Sequence, residues 1–325
     1  MLNFNESLDR FEFLLAQLIS INNSNDNYIP NETIAVSLAL NINELSRIGL
    51  WKTFWNKPFY RGIKVAIADK WIKSIENLLG NPNSDEGINF FSNIEAQFKS
   101  NKKSWNSPEN YEFSGKNASK IFNLNPNFPK DRLYQVCKFA KRMQLDSDRL
   151  VENIKKLYIE FCADCNSNDA NIHFQEVLSF FVEKGWGCIT ILHGLTDLGY
   201  SVKPDIHFVR AHKFLSVPTY SSELKDPTCR KALSIANYYV YNSILNLGDI
   251  KKIIQKVAPT DYEKLISQNR LEEERVFLRY LDKVIMDFSF QNIVLNSKAF
   301  SSLIDLNKDN IALNSNNMDS YKKSY

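Results

Sequence analysis

The chain has 325 residues, of which 44% are hydrophobic, 13% aromatic and 24% charged. These values are typical of a globular protein and exclude a largely disordered one. The 40 basic and 37 acidic residues give a formal net charge of +3, which permits a nucleic-acid surface without requiring one. Gly and Pro number only 10 each, which excludes collagen-like and Pro-rich classes.

Membrane and export signals are not evident in the sequence. No apolar stretch approaches the roughly 20 residues of a membrane span. The first residues show no basic stretch followed by an apolar core, so we expect no secretory signal. The five cysteines are an odd number without the spacing of a disulfide framework. We therefore expect a cytoplasmic protein with reduced thiols and no membrane association.

Helical periodicity dominates the chain. Apolar residues recur at helical spacing over 5–21, 65–79, 131–143, 148–161, 174–184, 188–198, 227–247 and 261–288, the last with a candidate break near Asn269. Polar loops are predicted at 22–31, 81–86 and 100–125, and no clean alternation predicts a strand. The predicted fold class is therefore all-α.

Two short motifs stand out between 183 and 210. Gly185-Trp186-Gly187 predicts a tight turn before a helix, where backbone N–H groups and the helix dipole suit one phosphate. The alternative is a plain helix–helix turn in which Gly supplies positive φ. Asp205 follows Pro204 and opens a further helix, and taken alone its carboxylate is favoured as an ordinary N-cap.

Together the two motifs resemble the helix-hairpin-helix (HhH-GPD) superfamily of DNA glycosylases. The family hairpin reads Gly-x-Gly-x-x-Thr, and this chain has Gly185-Trp186-Gly187-Cys188-Ile189-Thr190. The family's catalytic segment reads Asp-x-His-x-x-Arg, and this chain has Asp205-Ile206-His207-Phe208-Val209-Arg210, about 20 residues further on. The clear likeness covers about 174–215, and a looser one covers 279–286.

The resemblance implies a two-lobed helical fold with an active-site cleft between the lobes. One lobe, 126–217, would hold the hairpin and the Asp205 loop. The other would combine 1–125 with 218–325, and 307–325 would form a frayed tail. The unmatched residues 1–125 suggest a specialised base pocket, for example for a bulky modified base of phage DNA.

The resemblance also implies roles for individual residues. Asp205 would be the catalytic carboxylate, because a fixed anion stabilises the oxocarbenium-like transition state of glycosidic cleavage. Further roles are implied as follows: DNA-phosphate binding for Gly185, Gly187, Thr190, Lys184 and Lys203; support of the site for His207, Arg210 and Trp186. We assign the base pocket to Trp51, Trp55 and Tyr60, since aromatics among cations suit a flipped base. The alternative for this cluster is an ordinary aromatic core.

Departures from the family pattern narrow the expected chemistry. Members that also cut the strand carry a Lys where this chain has Ile189, so no amine is expected there to form an imine. Only Cys229 follows Asp205, which leaves too few cysteines for an iron–sulfur cluster. Cys162, Cys165 and His173 would make only part of a zinc site. We expect no cofactor, beyond a structural monovalent cation that the hairpin could hold.

The sequence thus predicts a hydrolase: a monofunctional DNA glycosylase that flips a damaged or modified base out of double-stranded DNA, removes it and leaves an abasic site. A monomer is expected, with a role in DNA repair or phage defence. Two alternatives stay open. One is a glycosylase acting on a free modified nucleoside, as in queuosine salvage. The other is a non-catalytic helix-hairpin-helix module that only binds DNA.

Overall fold

The structure is a computed structural model. It describes residues 8–9, 11–16, 18–19, 32–40, 45–60, 63–99, 108–165, 167–181, 186–205, 208–209 and 228–294. The protein is mostly helical, which confirms the predicted all-α class.

The helices and strands follow one another in a simple order. Before a small hairpin lie α1 (Glu32–Leu38), α2 (Arg47–Phe54), α3 (Lys57–Tyr60), α4 (Val65–Leu79) and α5 (Asp85–Ser92). The hairpin consists of β1 (Glu95–Phe98) and β2 (Tyr111–Ser114). After it lie α6 (Lys116–Leu124), α7 (Lys130–Ala163), α8 (Asn168–Phe180), α9 (Cys188–Asp197), α10 (Cys229–Leu245), α11 (Leu247–Val257), α12 (Pro259–Ser267) and α13 (Glu274–Val294).

Contacts divide the chain into two compact units. Unit 1 contains Met1–Leu40, Asp164–Asn166 and Gly199–Tyr325, and unit 2 contains Asn41–Ala163 and Ser167–Leu198. These bounds differ from those of the lobes expected at 126–217 and in the remainder of the chain, and the two-lobed glycosylase arrangement stays a prediction. Helix α9 belongs to unit 2, whereas Asp205 belongs to unit 1.

Unit 2 is built around the long helix α7 and a cluster of aromatic rings. Helix α7 packs against α2, α5 and α8. Phe139, fully buried on α7, stacks on Trp51 with ring centroids 5.7 Å apart and on Phe181 at 5.1 Å. Each such ring buries a large apolar area, and burial of a Phe side chain contributes about 1.5–3 kcal/mol.

Unit 1 is held together by the closing helix α13. It packs against α1 and α10. Val276, Leu278 and Val284 on α13 are completely buried. Arg270, just before α13, donates hydrogen bonds to the carbonyls of Leu38 and Leu40 at the end of α1. These bonds satisfy carbonyls that the helix end leaves without intrahelical partners.

Helix breaks fall close to where the sequence places them. The two helices predicted over 131–143 and 148–161 are joined in α7, which kinks at Asp146 with φ −152° and ψ 32°. The long predicted helix 261–288 is interrupted between α12 and α13, where Asn269 has a positive φ of 54°. The helix expected over 227–247 corresponds to α10, which ends at Leu245, whereas the following α11 extends beyond the predicted end and was not predicted. Short polar side chains thus favour the end of a helix even where the spacing of apolar residues would allow the helix to continue.

The hairpin corrects the prediction that 100–125 is only a loop. Strand β2 and helix α6 lie inside that range, and β2 pairs antiparallel with β1 in the register Glu95↔Ser114 and Phe98↔Tyr111. Each strand has four residues, too short for a visible alternation of apolar and polar side chains. Rings of Phe98, Tyr111 and Tyr134 then anchor the hairpin on α7.

No helix in the described ranges is both long enough and apolar enough to cross a bilayer.

Gly194 supports a first prediction, because α9 packs directly on the ring of Phe54. A Cβ added at Gly194 would lie 2.0 Å from Phe54 Cε1, and Phe54 is completely buried. We expect Gly194→Ala to lower the free energy of unfolding by about 1–3 kcal/mol, measured by urea denaturation. Gly248→Ala is the control, because nothing lies within 4 Å of its added Cβ. Equal stability of the two variants would contradict this packing.

Candidate functional site

The described part of the predicted hairpin is the start of α9. Gly187 is the N-cap of this helix, with φ −74° and ψ 154°, and it provides no side-chain cap. Gly187 is exposed, and the nearest atom to an added Cβ would be Thr190 Oγ1 at 4.0 Å. Gly187 therefore leaves the start of α9 accessible, and the N-terminus of a helix is the end that an anion prefers. Lys184 and Gly185 lie outside the described residues.

Trp186 lies inside the aromatic core of unit 2. Only 3% of it is exposed, and its ring lies 4.8 Å from Phe181, 5.4 Å from Phe139 and 6.2 Å from Phe54, between centroids. The burial positions the backbone that enters Gly187. Any supporting role of Trp186 would thus be exerted through this anchor, since almost none of its ring reaches the surface.

Trp51 and Trp55 do not offer a face to a base. Both rings are completely or almost completely buried, and they pack on each other and on Phe91. The indole N–H of Trp51 donates to Pro82 O and that of Trp55 to Asn83 Oδ1, each at 2.8 Å. A ring packed by neighbours and satisfied at its N–H is core, so the base-pocket prediction is replaced by the core interpretation for these two residues.

Tyr60 differs from the two tryptophans in being exposed. Its hydroxyl donates to Asp69 Oδ1 at 2.9 Å. Partial burial and this bond to an anion raise the pKa of Tyr60 to about 12. Tyr60 is therefore a neutral hydrogen-bond donor at ordinary pH and is tied to α4.

Asp205 is a helix cap with two further contacts. Its Oδ1 accepts the backbone N–H of Phe208 at 3.0 Å, and its carbonyl accepts that of Val209 at 2.9 Å. Its Oδ2 lies 3.1 Å from Lys203 Nζ. Only 9% of the residue is exposed. The N-cap interpretation is therefore realised, and it fixes the direction of the carboxylate that the resemblance names as catalytic.

Lys203 is held by the protein at both its ends. Its ammonium pairs with Asp205, and its backbone N–H donates to Asp282 Oδ1 at 2.7 Å. Asp282 is 2% exposed, and its Oδ2 accepts from Arg279 at 2.7 Å. The structure therefore joins Lys203 and Asp205, from the predicted set, to Asp282 and Arg279 of α13, to which no role was assigned from the sequence.

Two of the predicted supporting residues, His207 and Arg210, lie outside the described residues. Their described neighbour Phe208 is fully buried and packs edge-on against Tyr239, with centroids 5.0 Å apart. This contact anchors the turn that follows Asp205 on helix α10.

A polar cluster on α9 was missed by the sequence analysis. Asp197 forms an ion pair with Lys57, and its Oδ2 lies 3.6 Å from His193 Nε2. Lys57 Nζ also lies 3.5 Å from that His193 nitrogen. The cluster ties α3 to α9. The four-residue separation of His193 and Asp197 puts them on one helix face, and that spacing could have indicated the pair.

Metal-binding geometry is not found in the part of the chain that the structure describes, where no three His, Cys, Asp or Glu side chains cluster suitably. Within the described residues, Cys162 and Cys165 are not part of a disulfide. His173 Nδ1 lies 3.1 Å from Glu176 Oε2, which gives this imidazole a partner on its own helix.

Comparison of the chain with family models, curated proteins and solved structures finds no match. The likeness to helix-hairpin-helix glycosylases therefore depends on the two sequence motifs.

The capping role of Asp205 can be separated from any chemical role. Asp205→Ala removes the acceptor for the Phe208 N–H and should lower the free energy of unfolding by about 0.5–2 kcal/mol. Asp205→Asn keeps an acceptor oxygen and should cost less, because Asn caps helices about as well as Asp. Thermal or urea unfolding of both variants measures this order. An equal loss would contradict the capping geometry.

Proposed function

We propose that the protein is a monofunctional DNA glycosylase that hydrolyses the bond between a modified base and deoxyribose. The observation that carries the proposal is a fixed carboxylate, Asp205, in the Asp-x-His-x-x-Arg segment about 20 residues after a Gly-x-Gly-x-x-Thr hairpin. Either motif alone has an ordinary structural explanation. Their pairing at this spacing is what favours glycosylase chemistry.

Asp205 suits the electrostatic demand of the reaction. Cleavage of the glycosidic bond develops positive charge on the sugar, and an anion that is already oriented stabilises this charge without reorganising. The bond from Phe208 N–H orients Oδ1, and the low exposure of Asp205 limits competition from water. The same carboxylate could orient or deprotonate the attacking water.

The start of α9 suits the DNA backbone. Its N-cap residue, Gly187, provides no side-chain cap and leaves space for a phosphate to approach. A phosphate at a helix N-terminus is stabilised by direct N–H donation and by the helix dipole. Extrusion of a base from the stack costs roughly a few kcal/mol, and binding of the DNA backbone would help to offset this cost.

Because of Ile189, the proposed reaction is hydrolysis without strand cleavage. Ile189 lies half-buried in the first turn of α9, at the position where strand-cutting relatives in the resembled family carry a Lys. An aliphatic side chain cannot form an imine with the sugar. The expected product is therefore an abasic site in an intact strand.

In this proposal Lys203 has one role in the free protein and another when DNA is bound. In the free protein its ammonium neutralises Asp205. A bound phosphate would compete for that ammonium, because Lys is a compact cation that readily contacts phosphates. Transfer of Lys203 from Asp205 to DNA would leave the carboxylate free to face the developing cation.

Base release tests the proposal. The full chain is incubated with DNA that contains alkylated, deaminated, oxidised or phage-type hypermodified bases, and free bases are detected by mass spectrometry. We expect one class to be released with the strand intact, and Asp205→Asn to slow its release at least about 100-fold. Asp249→Asn, at an exposed carboxylate in the first turn of α11, is the control.

Other outcomes of this assay would replace the proposal. Cleavage of a free modified nucleoside, with no release from DNA, would favour a salvage enzyme. Salt-sensitive DNA binding without release of any base would favour a binding module. Base release by Asp205→Asn at the wild-type rate would mean that Asp205 is not the catalytic carboxylate.

Salt dependence tests the phosphate role of Lys203. Lys203→Met should reduce the slope of log affinity against log salt concentration by about 1, because one phosphate contact is lost. Lys203→Arg keeps the charge and should keep the slope. Fluorescence anisotropy with a labelled duplex measures both. An unchanged slope in Lys203→Met would mean that the ammonium does not contact DNA.

A further inference from the structure

A buried carboxylate on α13 reaches the backbone next to Asp205. Asp282 Oδ1 accepts the N–H of Lys203 at 2.7 Å, and Oδ2 accepts from Arg279 at 2.7 Å. With 2% exposure, this anion would be costly without such partners. The two bonds therefore fix the position of the Lys203 main chain relative to α13.

Lys203 passes this restraint on to Asp205 by two routes. Its carbonyl accepts the N–H of Asp205 at 2.8 Å, and its ammonium lies 3.1 Å from Asp205 Oδ2. Both routes start from the residue whose own N–H is bound by Asp282. A shift of the Lys203 backbone would therefore move the main chain of Asp205 and the partner of its carboxylate together.

We propose that Asp282 is a positioning residue for the Asp205 carboxylate and acts through the backbone of Lys203. The catalytic consequence rests on the proposed glycosylase function, whereas the geometric consequence does not. Asp282 does not touch the substrate in this proposal. Its effect is on the orientation of Asp205, and misplacement of a reacting group by about 1 Å can cost about 100-fold in rate.

A matched control is available on the same helix. Asp287 is also buried on α13, with 7% exposure, and its Oδ1 pairs with Lys283 Nζ at 2.7 Å. Both aspartates thus pair with a cation of their own helix. Asp282 differs in that it also binds the Lys203 backbone. Asp287→Asn is therefore the control for the loss of a buried charge on α13 without loss of that bond.

The test compares Asp282→Asn with Asp287→Asn in the full chain. In DNA-free protein, hydrogen exchange of the Phe208 amide, which donates to Asp205 Oδ1, is measured relative to the Tyr239 amide in α10. We expect Asp282→Asn to accelerate the relative exchange of Phe208 about tenfold or more, because the single amide oxygen cannot accept from both Lys203 N–H and Arg279, while Asp287→Asn leaves it unchanged. Single-turnover base release should fall about 10- to 100-fold in Asp282→Asn only.

The two readouts separate the inference from the proposed function. If wild type releases no base from any DNA, the glycosylase proposal fails, and Phe208 exchange alone decides the role of Asp282. Equal exchange and equal release in the two variants would overturn the inference. If Asp282→Asn does not fold, Arg279→Lys replaces it, and faster relative exchange at Phe208 is again the expected result.

Discussion

Burial of the Phe139 ring is the constraint on which unit 2 depends. This ring of α7 contacts Trp51 of α2, Phe181 after α8 and Trp186 before α9, so one side chain joins four parts of the chain. Because interiors are packed as densely as organic crystals, none of these rings can move without displacing the others. The position of Trp186, just before α9, is therefore set by this core.

In unit 1, Asp205 is held by polar contacts and not by packed aromatic rings. There the restraints are hydrogen bonds and charges: an N–H from Phe208, an ammonium from Lys203 and, one step further, the carboxylate of Asp282. Such bonds strengthen one another in a poorly hydrated environment. A carboxylate restrained in this way is suited to face a developing cation, since little reorganisation is needed when the charge appears.

The sequence was most informative where one local signal decides the structure. Apolar spacing predicted a helix over 65–79, and the structure has α4 at Val65–Leu79. Asp205 was correctly weighed as an N-cap, because capping depends on only a few neighbouring residues. The short strands β1 and β2 were missed, since four residues carry too little periodicity to be recognised.

The site was predicted less completely than the fold, because its partners come from distant parts of the chain. Asp282 lies 79 residues from Lys203 in sequence, and only the fold brings them together. A charged residue on an otherwise apolar face of α13 was the available signal. Trp51 and Trp55 failed as a base pocket for a related reason: aromatic composition does not reveal whether a ring ends inside the core or at its surface.

Gly194 and Gly187, both in the α9 region, differ in whether the fold requires glycine at that position. At Gly194 the fold itself excludes a side chain, because Phe54 fills the space. At Gly187 the backbone has an ordinary negative φ, and among the described residues an added Cβ would touch nothing closer than 4.0 Å. The described part of the fold would therefore tolerate alanine at 187. A glycine at this position instead leaves the backbone at the start of α9 open to close approach, as the proposed phosphate contact would require.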